Sequence, residues 1–176
     1  MRKLVLALLA VVMLGGTAFA GSELSIRAGI DPVSSAGSAD LKIGFNVGVE
    51  WLFDTNDMIK IGPGVQYGFG RGYDSKSGVG DSARVSMLPI YATIELTPFK
   101  ELKDLFFKGI LGFSVDTWYS TVSGSGSTSE MALYIGAGAG YKFAENFFVD
   151  AGYYVATHDG NLSRLQINVG YRFTTD

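Results

Sequence analysis

The sequence predicts an all-β protein, an eight-stranded antiparallel up-and-down transmembrane β-barrel. Apolar side chains recur with a period of two in eight segments, the spacing of strands whose two faces meet different surroundings. Long polar runs and short turns join these segments in alternation, as in a barrel threaded up and down through a membrane. Aromatic residues gather near both ends of the segments, where such a barrel carries its interfacial girdles.

Residues 1–20 are expected to be a cleaved export signal. Arg2 and Lys3 give a positive start, residues 4–14 are an unbroken apolar run, and Ala18-Phe19-Ala20 supplies a small-x-small cleavage site. The run is shorter than the roughly 20 residues of a spanning helix. No later stretch suits such a helix, so the expected mature domain, 21–176, crosses a bilayer only as a closed barrel in which every backbone group finds a partner. Losing two of 14 basic residues with the signal leaves 12 against 17 acidic ones. That balance argues against nucleic acid as a partner, which calls for a basic patch. The lack of cysteine excludes disulfide staples, thiolate metal sites and cysteine nucleophiles.

In chain order, 22–30 sets Leu24, Ile26, Ala28 and Ile30 against Ser25, Arg27 and Gly29. Segment 41–51 sets Leu41, Ile43, Phe45, Val47, Val49 and Trp51 against Lys42, Gly44, Asn46, Gly48 and Glu50. In 58–69, Ile59, Ile61, Val65, Tyr67 and Phe69 oppose Lys60, Gln66 and three glycines. Segment 84–96 ends with Leu88, Ile90, Ala92, Ile94 and Leu96 opposite Tyr91, Thr93 and Glu95. Phe107, Leu111, Phe113 and Val115 share a face of 106–116, away from Lys108, Gly112 and Ser114. Segment 131–143 alternates Met131, Leu133, Ile135, Ala137, Ala139, Tyr141 and Phe143 with Tyr134, Lys142 and glycines. In 147–155, Phe147, Val149, Ala151, Tyr153 and Val155 oppose Asp150, Gly152 and Tyr154. Last, 164–173 sets Leu165, Ile167, Val169, Tyr171 and Phe173 against Arg164, Gln166, Asn168, Gly170 and Arg172.

The links 31–40, 71–83, 117–130 and 156–163 are long, 54–57 and 144–146 are short, and 97–105 is intermediate. Long loops then lie outside the cell and both termini on the short-turn side. Pro63 and Pro89 fall inside strands, where each removes a ladder donor. Val85 and Met87 share a face that Leu88 and Ile90 leave, so a β-bulge is expected near 87–89, with a similar account for Pro63.

Alternation alone leaves a soluble lipocalin-like barrel, with the faces reversed, as a rival. Glycines crowd the polar face, which suits an eight-strand interior with room only for packed side chains. Trp51, Phe53, Phe99, Phe106, Phe107, Phe143, Phe147, Tyr171 and Phe173 make a girdle at the short-turn end, with Tyr67, Phe69, Trp118, Tyr119 and Tyr153 at the other. The expected interior polar core is Arg27, Lys42, Glu50, Lys60, Glu95, Lys108, Lys142, Asp150, Arg164 and Arg172. Charges of both signs there can pair, whereas each Lys or Arg facing mid-bilayer lipid costs roughly 2–4 kcal/mol. A packed plug is favoured over an open conduit.

The ending Asn168-Val169-Gly170-Tyr171-Arg172-Phe173, the strand Leu88-Pro89-Ile90-Tyr91 and the run Gly138-Ala139-Gly140-Tyr141-Lys142-Phe143 resemble the small outer-membrane barrels grouped around OmpX/Ail, the OmpA transmembrane domain and the opacity proteins. The resemblance implies localisation in the cell outer membrane, contact with its lipid and lipopolysaccharide, and recognition of the final strand by the barrel-assembly machinery through Tyr171 and Phe173. The family usually ends at that aromatic residue, whereas Thr174-Thr175-Asp176 follow here.

No catalytic, cofactor or metal site stands out. His158, the one histidine, precedes Asp159-Gly160, so the His-x-Ser pattern of lipid A deacylases is not matched, and a solvated turn is the simpler reading. Asp31 with Asp40, Asp74 with Asp81, and Asp116 with Glu130 are candidate Ca²⁺ ligands at a loop rim, although acidic loop residues more often serve turns and solubility. Gly124-Ser125-Gly126-Ser127 is a flexible tip, with no helix behind it to cradle phosphate. The expectation is a non-enzymatic membrane anchor whose loops serve adhesion, recognition of an extracellular ligand or envelope integrity. Its rivals are a lipid A-modifying enzyme, a small pore and the soluble ligand-binding barrel.

Overall fold

Each of the eight expected segments forms a strand in the computed structural model, which describes residues 21–73, 83–120, 126–157 and 161–175. The strands are β1 (Ser22–Ala36), β2 (Ala39–Asp40), β3 (Gly44–Asn56), β4 (Ile59–Gly72), β5 (Ala83–Leu96), β6 (Leu105–Ser120), β7 (Gly126–Lys142), β8 (Phe147–Thr157) and β9 (Leu162–Thr175). β2 is a two-residue addition beside β1, at a hairpin that turns on Gly37, whose φ of 60° is the left-handed conformation glycine adopts without strain. The other eight pair in sequence, and β1 pairs with β9 to close an antiparallel barrel with no through-going edge.

Period two sorts the side chains as expected. Phe45, Leu111, Phe113 and Val169 stand out from the wall with more than half their surface exposed. Arg164, Gln166 and Asn168 of the same wall are fully buried inside it. An apolar outer face around a polar centre is the membrane arrangement, not that of a soluble barrel.

The strands run further toward the long-loop end than alternation indicated. β1 continues through 31–36, β6 to Ser120, and β7 starts at Gly126, inside the expected loop 117–130. Residues 126–131 are exposed on both faces; with water on either side nothing selects alternate apolar residues, and the signal vanishes. β3, by contrast, starts only at Gly44. Residues 41–43 cross the rim instead, which turns Leu41 inward and buries it.

The bulges also lie elsewhere than expected. β5 keeps an unbroken register with β6 through Leu88–Val115 and Pro89–Ser114. The β4–β5 register instead shifts between Gly68 and Arg71, opposite Met87 and Val85. A second shift, between Ile30 and Val33 against β9, spans Pro32. No shift accompanies Pro63, whose neighbours keep step from Glu50–Gly64 to Phe53–Ile61. Val85 and Met87 are buried inside the barrel in phase with Pro89 and Tyr91, so their apparent slip marks an apolar zone of the interior.

That zone is the core of the long-loop half. Leu41, Val85, Met87, Ala132, Ala156 and Leu162 pack there with Tyr91, Ile110, Tyr134 and Tyr154, with Tyr73 and Trp118 against them. Trp118, expected in the outer girdle, stacks on Tyr73 with centroids 6.5 Å apart. Phe106 also leaves its expected girdle: in phase with Lys108 it is fully buried, and its ring occupies the space over Gly140, where a Cβ would come within 2.2 Å. Phe53 is buried as well, its ring 5.3 Å from that of Trp51.

Candidate functional site

Below the apolar zone the interior is a stack of ion pairs. Nearest the short turns, Arg172 forms two bonds to Glu95 (2.9 and 2.7 Å) and one to Glu23 (3.0 Å). Its guanidinium lies 4.8 Å from the ring centres of both Phe106 and Phe148. Lys60 is half-buried at the mouth, 2.6 Å from Glu23 and 3.1 Å from Asp54. Lys142, also half-buried, feels the charges of Arg172, Glu23, Lys60 and Glu95.

The middle tier centres on Glu50. It accepts from Arg27 at 3.0 Å, Lys108 at 2.8 Å and the Tyr91 hydroxyl at 3.0 Å, and Arg27 also donates to that hydroxyl. Asp150 is 3.9 Å from both Arg27 and Lys108, and it accepts from Asn168 at 2.8 Å. The upper tier centres on Asp31, which faces Arg71 at 2.8 Å and Arg164 at 3.5 Å and accepts from Asn46 at 3.0 Å. Gln66 joins Asn46 (2.7 Å) to Arg164 (2.9 Å), and Arg164 also donates to Tyr134.

Lys42 departs from the expected interior set. It lies on the rim-crossing segment before β3, outside the strand phase, and is exposed. Sequence reasoning missed Glu23, Asp31, Arg71 and Asp116; it placed Asn46 and Gln66 on the polar face without counting them in the interior core. One of the missed residues, Arg71, is delivered by a bulge: Asp31 keeps the inward phase of Arg27 and Gly29, but inward positions step by three from Gly68 to Arg71, as they do from Asp31 to Ser34, and Arg71 bonds both Asp31 and Ser34. Asp31, expected at a calcium-binding rim, is thus fully buried in the plug, as is Asp116, which accepts from Ser114. Asp74, Asp81 and His158 lie outside the described residues. Among the described residues, no three His, Asp or Glu side chains are grouped to hold a metal ion.

Arg27, Arg71, Lys108, Arg164 and Arg172 are the buried cations, and Asp31, Glu50, Glu95, Asp116 and Asp150 the buried anions among the described residues. The interior is therefore electrically balanced and capped by apolar rings, which leaves an eight-strand barrel no bore.

Two features face outward at the ends. At the short turns Tyr171 packs edge-on against Phe147 (4.9 Å) and Phe173 (4.7 Å), and its hydroxyl accepts from Asn146 at 3.0 Å. β9 continues past Phe173, pairing Thr174 with Glu23 and Thr175 with Ser22. At the long-loop end β6 and β7 stay paired up to Ser120–Gly126, whereas β7 meets β8 only from Leu133–Thr157. β5 also pairs with β6 up to Ala83–Ser120, so β5, β6 and β7 rise together past the end of β8.

Comparison with known proteins agrees with this architecture. Ail of Yersinia pestis superposes with a TM-score of 0.60 at 18% identity, covering 88% of this chain and 99% of Ail. The N-terminal β-barrel domain of Pseudomonas aeruginosa OprF gives 0.57 at 21%, covering 86% and 97%. Neisserial surface protein A gives 0.56 at 15%, covering 87% and 97%. No curated protein matches the sequence. The model of the outer membrane protein beta-barrel domain matches residues 4–173, nearly the whole length. The chain belongs to that family, and its place is the outer membrane.

Proposed function

We propose that this protein is a non-enzymatic anchor that presents its projecting β6–β7 hairpin for recognition at the cell surface. Its signal is removed after Ala20, the barrel-assembly machinery reads Tyr171 and Phe173 in the last strand, and the barrel sits among outer-membrane lipid and lipopolysaccharide. The hairpin is the observation that carries the reading. Residues 126–131 pair with β6 on one edge and, among the described residues, with nothing on the other. An open row of backbone donors and acceptors can take up an extended segment of a partner protein as an added strand. The rigid, balanced plug beneath suits an anchor and leaves no path for a conduit. Ail, of the same fold, has been crystallised with the heparin analogue sucrose octasulfate, which supports ligand binding from outside by barrels of this build.

Adhesion of cells displaying the full chain to host-cell monolayers tests the proposal. Proline at Ser127 and Thr128 together removes a donor from the open edge whichever of the two points that way. Adhesion should fall to the level of cells lacking the protein while the barrel keeps its heat-modifiable band. Unchanged adhesion overturns the reading. Because the chain has no cysteine, Ser127→Cys and Asn56→Cys report orientation separately: only the first should react with an impermeant maleimide on intact cells.

A further inference from the structure

The barrel begins at a glycine that lies against a carboxylate. Ser22 of β1 pairs with Phe53 of β3, so Gly21 stands across from Asp54, whose amide donates to the Gly21 carbonyl at 3.3 Å. Gly21 has a φ of 87°, in the left-handed region that glycine adopts without strain. A Cβ on it would come within 2.9 Å of Asp54 Oδ2, so the bare Cα lets the carboxylate rest against the backbone. By standard geometry the Gly21 nitrogen is about 2.5 Å from that Cβ position. It is therefore within about 5.4 Å of Oδ2, in reach of a small rotation of an exposed side chain.

The other oxygen of this carboxylate is already engaged. Asp54 Oδ1 lies 3.1 Å from Lys60 of β4, which also holds Glu23 of β1 at 2.6 Å. Glu23 in turn meets Arg172 of β9 at 3.0 Å, and Thr175 of β9, beside Ser22, adds no charge. One lysine thus divides itself between two carboxylates. In the precursor the Gly21 nitrogen is a neutral amide joined to Ala20. Hydrolysis adds water across that bond, leaving a carboxylate on Ala20 and on Gly21 an amine, which holds a proton below its ordinary pKa of about 7.7–8.0.

We infer that the ammonium group made by removal of the signal pairs with Asp54 Oδ2, so that processing itself ties the start of β1 to β3 at the short-turn mouth. Asp54 then grips Gly21 at two points, its amide on the carbonyl and its carboxylate on the ammonium. The residue the signal leaves behind must be glycine for this grip, because any side chain there would push the carboxylate away. This goes beyond surface recognition and rests on one clause of the reading above, that the signal is removed after Ala20. An ion pair at an exposed carboxylate is modest in strength, so its mark is read at the amine itself.

Barrel purified from outer membranes is first weighed intact, which reports whether the chain starts at Gly21. Its α-amine is then titrated from about pH 6 to about pH 10 by the rate of acetylation with acetic anhydride, read on the N-terminal peptide. The pair should raise the pKa of the amine by about half a unit above its ordinary value. Asp54→Asn should return it to that value, and Lys60→Gln should raise it further, because Asp54 is then no longer shared. Asp57→Asn, the same change of charge in the same exposed turn, should leave it unmoved. A chain that starts elsewhere overturns the cleavage site and the pair together. A chain that starts at Gly21 with an ordinary amine, or an Asp54→Asn shift no larger than that of Asp57→Asn, overturns the pair alone.

Discussion

Replacing Glu50 by Gln tests the plug at its most connected point. The substitution keeps the shape of the side chain but leaves Arg27 and Lys108, both fully buried, without the carboxylate that lies 3.0 and 2.8 Å from them. Breaking a buried pair in this way costs about 3–5 kcal/mol, because the partner charge stays desolvated. Asp150, 3.9 Å from each cation, takes up part of the loss, which places the expected cost near the lower bound, about 3 kcal/mol. With a urea dependence of roughly 2 kcal/mol per molar, the unfolding midpoint in lipid vesicles falls by about 1.5 M. Adding Lys108→Gln restores the charge balance and should recover most of the loss, a coupling of about 2 kcal/mol in a double-mutant cycle. Glu50→Gln unfolding within experimental error of wild type, or two substitutions that simply add, would refute the claim that these charges hold one another.

The other expectations use the same unfolding assay or a bilayer. Gly112→Ala would put its Cβ 2.2 Å from the Ile90 carbonyl oxygen; the strands must part, for a loss of about 1–3 kcal/mol, whereas Gly70→Ala leaves the midpoint unmoved. Arg172→Lys keeps the charge but gives up the two-pronged bond to Glu95 and the flat contact with two rings, so the unfolding free energy falls by about 1–2 kcal/mol. In planar bilayers the purified barrel passes no steady current, since the apolar rings close the long-loop half; a stable conductance would contradict the packed interior.

How far the fold could be read from the sequence depended on which solvents flank a strand. Through the bilayer, lipid on one side and the plug on the other force alternation, and Phe45 against Asn46 or Val169 against Asn168 declare their faces. Beyond it the constraint lapses, and Ser127 to Met131 form strand with no pattern to announce it. The interior was legible where it is charged and illegible where it is apolar: Val85, Met87 and Leu162 resemble lipid-facing residues in composition and differ only in phase. The bulges hid the rest. Asp31 and Arg71 lie in stretches that look like loop, and a step of three from Gly68 to Arg71 has no meaning until the register of both neighbouring strands is known. The cost of a proline was also misjudged. At Pro63 two successive pairs of the β3–β4 ladder are missing while the flanking pairs keep step, so a missing donor need not add a residue to the strand.

An interior built from ion pairs is a weak source of net stability, because desolvation offsets most of the attraction. Its contribution here is better sought in register. A slip of one residue between two strands sends every inward side chain of one of them into lipid. For β9 that would expose Arg164 and Arg172 together with Gln166 and Asn168, at roughly 2–4 kcal/mol for each Arg near the midplane, less toward the interfaces. It would also strand Glu95, which Arg172 serves from another strand, and take from Asp31 one of its two arginines. The apolar outer face cannot supply this discrimination, since Ile, Val and Phe are equally content in hydrocarbon at any height. The charged plug therefore specifies which of many similar barrels forms, and the bulge in β4 brings Arg71 inward to Asp31 where β3 and β4 begin to part. The break in the wall and the ion pair that closes the interior behind it have the same origin.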